Sequence, residues 1–117
     1  MSTEDLTISL LARALDVSAL RQSVYAANVA NAGVEGYQRM DVHFDDSLQR
    51  AALEIDQSAS LTPVRSADAS VISTGTTVRL DEEMGLMAKN ALQYQTLIGT
   101  YEGMVGLMRV AVREGRE

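Results

Sequence analysis

The last third of the chain carries one uninterrupted apolar row. Met84, Met87, Ala91, Tyr94, Ile98, Tyr101, Val105, Met108 and Val112 follow one another at alternating spacings of three and four. A helix with 3.6 residues per turn stacks such positions into one narrow stripe, the heptad seam of a coiled-coil-like contact. The row predicts a helix over residues 81–114, roughly 50 Å long at about 1.5 Å per residue. Asp81 is placed to act as its N-cap, with Glu82 and Glu83 in the positive first turn. Arg109, Arg113 and Arg116 suit the negative end of its dipole. Gly85, Gly99, Gly103 and Gly106 lie inside it, each costing up to about 1 kcal/mol against Ala. They either lower local stability or admit close backbone approach of neighbouring helices, and the sequence leaves both open.

A narrow seam needs a second helix to cover it, and the N-terminal segment offers one. Leu6, Leu10, Val17, Leu20, Val24 and Ala27 recur at helical spacing, with Arg13 interrupting the row. Ser2 or Thr3 can cap this helix, with Glu4 and Asp5 in its first turn. It is expected to run to about Asn31, where Gly33 can supply a left-handed C′ residue. Between the helices, residues 41–56 predict a short helix with Phe44, Leu48, Ala52 and Ile55 on one face and Asp46 with Gln49 as a capping pair. Residues 57–77 read as a flexible loop: nine of the twenty-one are Ser or Thr and Pro63 lies among them. Within that stretch Val71-Ile72 and Thr76-Thr77-Val78 flank Gly75 and could pair as a small hairpin.

The expectation is a mostly α fold in a single domain, residues 1–117. It comprises an N-terminal helix (1–32), a middle segment with a short helix and a flexible Ser/Thr-rich loop (33–80), and a C-terminal helix (81–114). The two long helices form either a helical hairpin within the chain or seams shared between chains. Neither contains Trp or Phe, and Ala, Val, Leu and Met fill seams better than layered cores. That favours assembly.

Charge narrows the function further. Sixteen Asp and Glu against ten Lys and Arg give a net charge of −6, which leaves no basic stripe for nucleic acid. Cysteine is absent, so there is neither a disulfide framework nor a thiolate metal site. The N-terminus has two early acids and no basic and apolar leader pattern, and no run approaches the ~20 apolar residues that span a bilayer. His43 is the sole histidine; Asp41, Asp45 and Asp46 near it could make a metal site, but a solvated turn with acids explains them better. One histidine with no Gly-x-Ser-x-Gly and no phosphate-binding glycine loop argues against catalysis. No cofactor, metal or small-molecule substrate is expected.

The segment after the first helix carries a resemblance. Ala27-Asn28-Val29-Ala30-Asn31 followed by Gly36-Tyr37-Gln38-Arg39 resembles the N-terminal signature of the flagellar axial proteins, the rod, hook and hook-associated subunits. The continuation Met40-Asp41-Val42-His43-Phe44 is similar to the proximal-rod subunits of that family. So is Thr76-Thr77-Val78-Arg79-Leu80-Asp81 leading into Met87-Ala88-Lys89-Asn90-Ala91-Leu92-Gln93-Tyr94-Gln95. Together these cover residues 5–56 and 75–113. Where the family often has Thr-Pro before Gly-Tyr, this chain has Val34-Glu35, a less rigid turn.

The same motif has a physical reading. Asn28 and Asn31 are three apart and share a helix face. Asn31 suits a helix end, Gly33 and Gly36 allow positive φ, and Tyr37 can anchor the returning chain. Asn28 falls beside the apolar seam, where an Asn commonly fixes register. The expected assembly interface is therefore Asn28, Asn31, Gly36 and Tyr37 with Met87, Ala91, Tyr94, Ile98, Tyr101, Val105 and Met108.

The resemblance implies a self-associating tube of subunits whose terminal helices pack near its axis, in the periplasmic rod. Its partners would be other rod proteins, the adaptor at the rod base, the export gate and the inner-membrane ring. Subunits would arrive by flagellar type III export without signal cleavage. Two further readings stay open: a soluble helical adaptor or chaperone that binds a partner through the same seam, and a small enzyme built on His43.

Overall fold

The computed structural model describes residues 3–44 and 69–115. Helix α1 spans Thr3–Ala30, strand β1 Met40–Phe44, strand β2 Ala69–Ser73 and helix α2 Leu80–Glu114. The two long helices pair within the chain, and the described residues extend over 64 × 24 × 15 Å. The fold is mostly α, as expected, with the helical hairpin realised intramolecularly. No helix among the described residues is long and apolar enough to cross a membrane.

α1 buries Leu6, Val17 and Val24, and half-buries Leu10 and Leu20. Ala27, the last member of the expected row, faces solvent; Tyr25 and Asn28 turn inward instead. Val17, Val24 and Val42 form a small core with Leu20, Met40 and Ala69 packed against it. One wall of that core is thus a strand. It lies where residues 41–44 were expected to open a helix. Met40, Val42 and Phe44 have the period-two pattern of a half-buried strand, which fits the helix pair better than a helical turn. The rest of that expected helix, including Leu48, Ala52, Ile55 and the Asp46–Gln49 pair, lies outside the described residues.

β1 and β2 form a two-stranded antiparallel sheet with Met40 opposite Ser73, Val42 opposite Val71 and Phe44 opposite Ala69. Residues 69–73 are therefore strand rather than loop, and Val71-Ile72 pairs with β1 instead of with Thr76–Val78. β1 out-competes that hairpin because it is already fixed on α1. Gly75, at φ 75°, turns the chain out of β2, with the Thr74 and Thr76 hydroxyls 2.8 Å apart across it. The Thr76 carbonyl then accepts from the Arg39 N–H at 2.7 Å.

Helix ends differ from expectation in two places. Gly33 does not have positive φ; α1 runs out through right-handed turns, Ala32 N–H to the Val29 carbonyl and Val34 N–H to the Asn31 carbonyl, and the left-handed residue is Gly36 at φ 81°. α2 begins at Leu80, with extended Arg79 in the cap position and no side-chain cap. Asp81 is inside the first turn, beside Glu82 and Glu83. Three acids against the dipole replace the missing cap.

Candidate assembly interface

The end of the molecule where α1 stops and α2 starts is organised by one buried side chain. Asn28 is 0% exposed, and its carboxamide uses all four of its hydrogen-bonding positions. Its Nδ2 donates to the Met40 carbonyl at 2.8 Å and to Glu83 Oε2 at 3.1 Å. Its Oδ1 accepts from the Met40 N–H and from the Tyr37 hydroxyl, both at 3.0 Å. The amide thus pairs with Met40 as a neighbouring strand would, on the edge of β1 away from β2. Tyr37 anchors the returning chain, as its place after Gly36 suggests.

Glu83 completes the node from α2. It is 1% exposed and forms an ion pair with Arg39 Nε, while Arg39 also reaches Asp41 at 3.3 Å. Burial lowers the Arg39 pKa, but Glu83 first and then Asp41 outweigh it, and the net shift is upward. Its neighbour Glu82 stays outside, in an exposed pair with Arg79. Burial chiefly raises the Tyr25 hydroxyl pKa; Asp41 and Glu83 add to the rise, and Arg21 and Arg39 oppose it.

Two turns along α2 sits a second polar contact. Asn90 is buried; its Nδ2 donates to the Ser18 carbonyl at 2.9 Å and to Gln22 Oε1 at 2.8 Å, and its Oδ1 accepts from the Ser18 hydroxyl. Glu83 and Asn90 are one heptad apart. With Leu97 and Met104, both half-buried, they form an inner column beside half-buried Met87, Tyr94, Tyr101 and Met108. Apolarity alone selects the column on the other side, Met84, Ala91, Ile98, Val105 and Val112. Of these the first and last are exposed and the middle three half-buried. The face that meets α1 is therefore rotated toward two polar residues. Seven-residue spacing from Glu83 was the available signal, but polarity hides such positions from a search for apolar rows.

The structure thus brings Asn28 and Tyr37 together and places Asn31 and Gly36 beside them at the helix exit. Asn31 closes α1 by donating from Nδ2 to the Ala27 carbonyl at 2.8 Å. The seven expected interface residues of α2 lie along its half-covered side. α2 also keeps large apolar groups wholly in the open: Leu92 is 67% and Leu107 68% exposed, with Met84, Val110 and Val112 exposed as well. At the far end an apolar groove between the helices is lined by Ile8, Val105, Met108 and Val112, with Arg109 and Arg113 at its rim. The four glycines of α2 do not face α1: a Cβ added at any of them meets nothing within 4 Å. His43 is exposed on β1.

Residues 8–38, from the middle of α1 through the Asn28–Tyr37 contact, match the family described as "Flagella basal body rod protein". The flagellar basal body rod protein FlgB of Yersinia ruckeri is 30% identical over 87% of this chain and 90% of its own length. The chain belongs to the FlgB family. The FlgB of Escherichia coli K12 is 29% identical over 91% of the chain and 93% of its own length. That of Bacillus subtilis is 26% identical over 94% and 95%. FlgB proteins are structural rod subunits and not an enzyme family, which sets aside both the adaptor and the His43 readings.

Proposed function

We propose that this FlgB-family subunit builds the proximal rod by covering, subunit on subunit, the apolar surface that its own helix pair leaves open. The observation that supports this most is the exposure of Leu92, Leu107, Met84, Val110 and Val112 along a single helix. Exposed apolar groups scattered singly are ordinary, but Leu92, Leu107 and Val110 fall on one side of the helix at 3.6 residues per turn, with Met84 and Val112 elsewhere on it, and such a group is the pattern of an interaction surface. The expected interface residues Met87, Ala91, Tyr94, Ile98, Tyr101, Val105 and Met108 lie on the other, half-covered side of the same helix, where a neighbouring subunit would complete their burial. In this reading Asn28, Asn31, Gly36 and Tyr37 contribute by fixing the shape of the subunit end. The resulting helical tube transmits torque and conducts exported subunits. Its neighbours are other rod proteins, the adaptor at the rod base, the export gate and the inner-membrane ring. The chain reaches the periplasmic rod through the type III apparatus with its N-terminus uncleaved.

Leu107→Lys tests the assembly surface directly. Leu107 points away from α1, so the variant is expected to keep the helical content and melting temperature of the parent chain while failing to enter the rod, leaving cells non-motile. Normal motility with Leu107→Lys and Leu92→Lys combined would reject the surface. For the export route, mass spectrometry of the chain from isolated basal bodies should find its N-terminus at Met1 or Ser2; loss of fifteen or more residues, about the length of a signal peptide, would reject it.

A further inference from the structure

The ladder between β1 and β2 leaves a second edge whose pattern can be read residue by residue. Arg39 directs both its backbone groups toward the β2 side, to Thr74 N–H and the Thr76 carbonyl. Met40 directs both of its groups the other way, into the Asn28 carboxamide. Direction alternates along an antiparallel pair, and opposed residues share it. Ala69, Val71 and Ser73, opposite Phe44, Val42 and Met40, therefore point their N–H and C=O groups away from β1. Among the described residues no backbone hydrogen bond reaches that edge.

The two edges of this sheet are treated differently. The β1 edge is closed at Met40 by Asn28, and at Val42 the N–H is taken by the Asp41 carboxylate at 2.8 Å. Among the described residues the β2 edge is open, with Val71 and Ile72 both exposed. Edge strands are normally guarded by a charge, a proline or a bulge, and the strand Ala-Ser-Val-Ile-Ser has none of these. A two-stranded sheet is also below the three strands that are usually needed for stability.

We infer that β2 is a self-pairing edge, which takes the β2 of a second copy in antiparallel register about Val71. Two observations select a second copy as the occupant. The outward-pointing positions 69, 71 and 73 are symmetric about Val71, so a two-fold pairing sets Val71 against Val71 and Ala69 against Ser73. Every outward N–H then meets a carbonyl. In addition, residues 69–78 carry no charge in a chain of net −6, so this is a place where two copies approach without local repulsion. The product is a four-stranded sheet, β1-β2-β2-β1. An isologous contact of this kind closes on itself, unlike the open contacts of a tube, and it uses the sheet edge and not the exposed apolar residues of α2. It therefore stands or falls independently of the assembly surface. Two short strands bury less than the ~1,200 Å² of a stable complex, so the dimer is weak and concentration-dependent.

The natural chain has no cysteine, which makes single-cysteine cross-linking of the full chain clean. Val71→Cys is expected to oxidise to a disulfide-linked dimer about tenfold or more faster than Ile72→Cys. Opposed residues lie about 5.5 Å apart at Cα, within disulfide reach, whereas two Ile72 residues sit on a diagonal beyond it. Leu92→Cys, exposed on α2, is the control for random collision. Sedimentation equilibrium of the cysteine-free chain should show reversible dimer at high concentration. Val71→Pro should abolish it with helical content unchanged, because that N–H is not used by β1; Val71→Lys should do the same by charge. Equal oxidation rates for the three cysteines, or a monomer at every concentration, would overturn the inference.

Discussion

Asn28 decides how three pieces of chain meet. Replacing it by Leu leaves the Met40 peptide groups, the Tyr37 hydroxyl and one Glu83 oxygen without a partner in a buried site. At roughly 1–3 kcal/mol for an unsatisfied buried group, partial relaxation still leaves a loss on the order of 3–5 kcal/mol. Asn28→Asp is the sharper probe, since it keeps the shape but turns a donor into an acceptor facing the Met40 carbonyl and Glu83. It should lower the melting temperature at neutral pH at least as much as Leu does. Tyr25 gives a pH signature at the same scale. Its hydroxyl keeps its proton more tightly folded than unfolded, for reasons of burial first and nearby Asp41 second. Stability from this group is complete below the ordinary tyrosine value of about 10 and is lost as pH rises above it. Denaturant melts at alkaline pH should show that decline, and Tyr25→Phe should flatten it. Asn28 was conspicuous in the sequence as a polar residue beside a seam. Its partners were not, because they come from β1 and α2, twelve and fifty-five residues away.

α2 reads as a helix from its spacing alone, and its two faces separate only once α1 is in place. Ile98 is half-buried on the side that meets α1. Ile98→Lys should cost the subunit about 1–2 kcal/mol, part of the 1.5–3 kcal/mol of a fully buried side chain plus some charge burial relieved by snorkelling. It should also block entry into the rod. Gln95→Lys, at an exposed position, should be tolerated in both assays; equal tolerance of both lysines would show that the seam is not a buried contact. The glycines separate in the same way. With open space around their would-be Cβ atoms, Gly99→Ala and Gly103→Ala should each stabilise the isolated subunit by about 0.5–1 kcal/mol. A variant that is stabilised and yet fails to assemble would show that a neighbouring backbone comes close at those positions in the rod.

Among the described residues the buried polar side chains, Ser18, Asn28, Glu83 and Asn90, are unevenly placed along the molecule. Glu83 and Asn90 pin the first third of α2 to α1 and β1 from buried positions, while the far end of α2 meets α1 through half-buried Val105 and Met108. Hydrogen exchange on a verified monomer should therefore grade along the long axis. Amides near residues 17–28 and 83–97 should be the slowest, and those near 5–12 and 103–114 should open at much lower free energy. Uniform protection along α2 would contradict this gradient. Loss of the gradient in Asn28→Asp would locate its cause in the node.

The sequence by itself determined what depends on local repetition. Period 3.6 sets both helices and their lengths, the Asn31–Gly36 stretch sets the helix exit, and a net charge of −6 leaves no basic stripe. The motif order in turn points to the axial family. Tertiary structure decided everything that depends on which distant groups meet. It made residues 40–44 a strand, because β2 and α1 offered an edge and a face that a helical turn there could not fill. It also rotated α2 so that Glu83 and Asn90, unremarkable polar residues in the sequence, became its most buried side chains. A polar group is buried only where its hydrogen-bonding partners converge, and convergence across fifty or more residues is a property of the fold that periodicity along the chain does not contain.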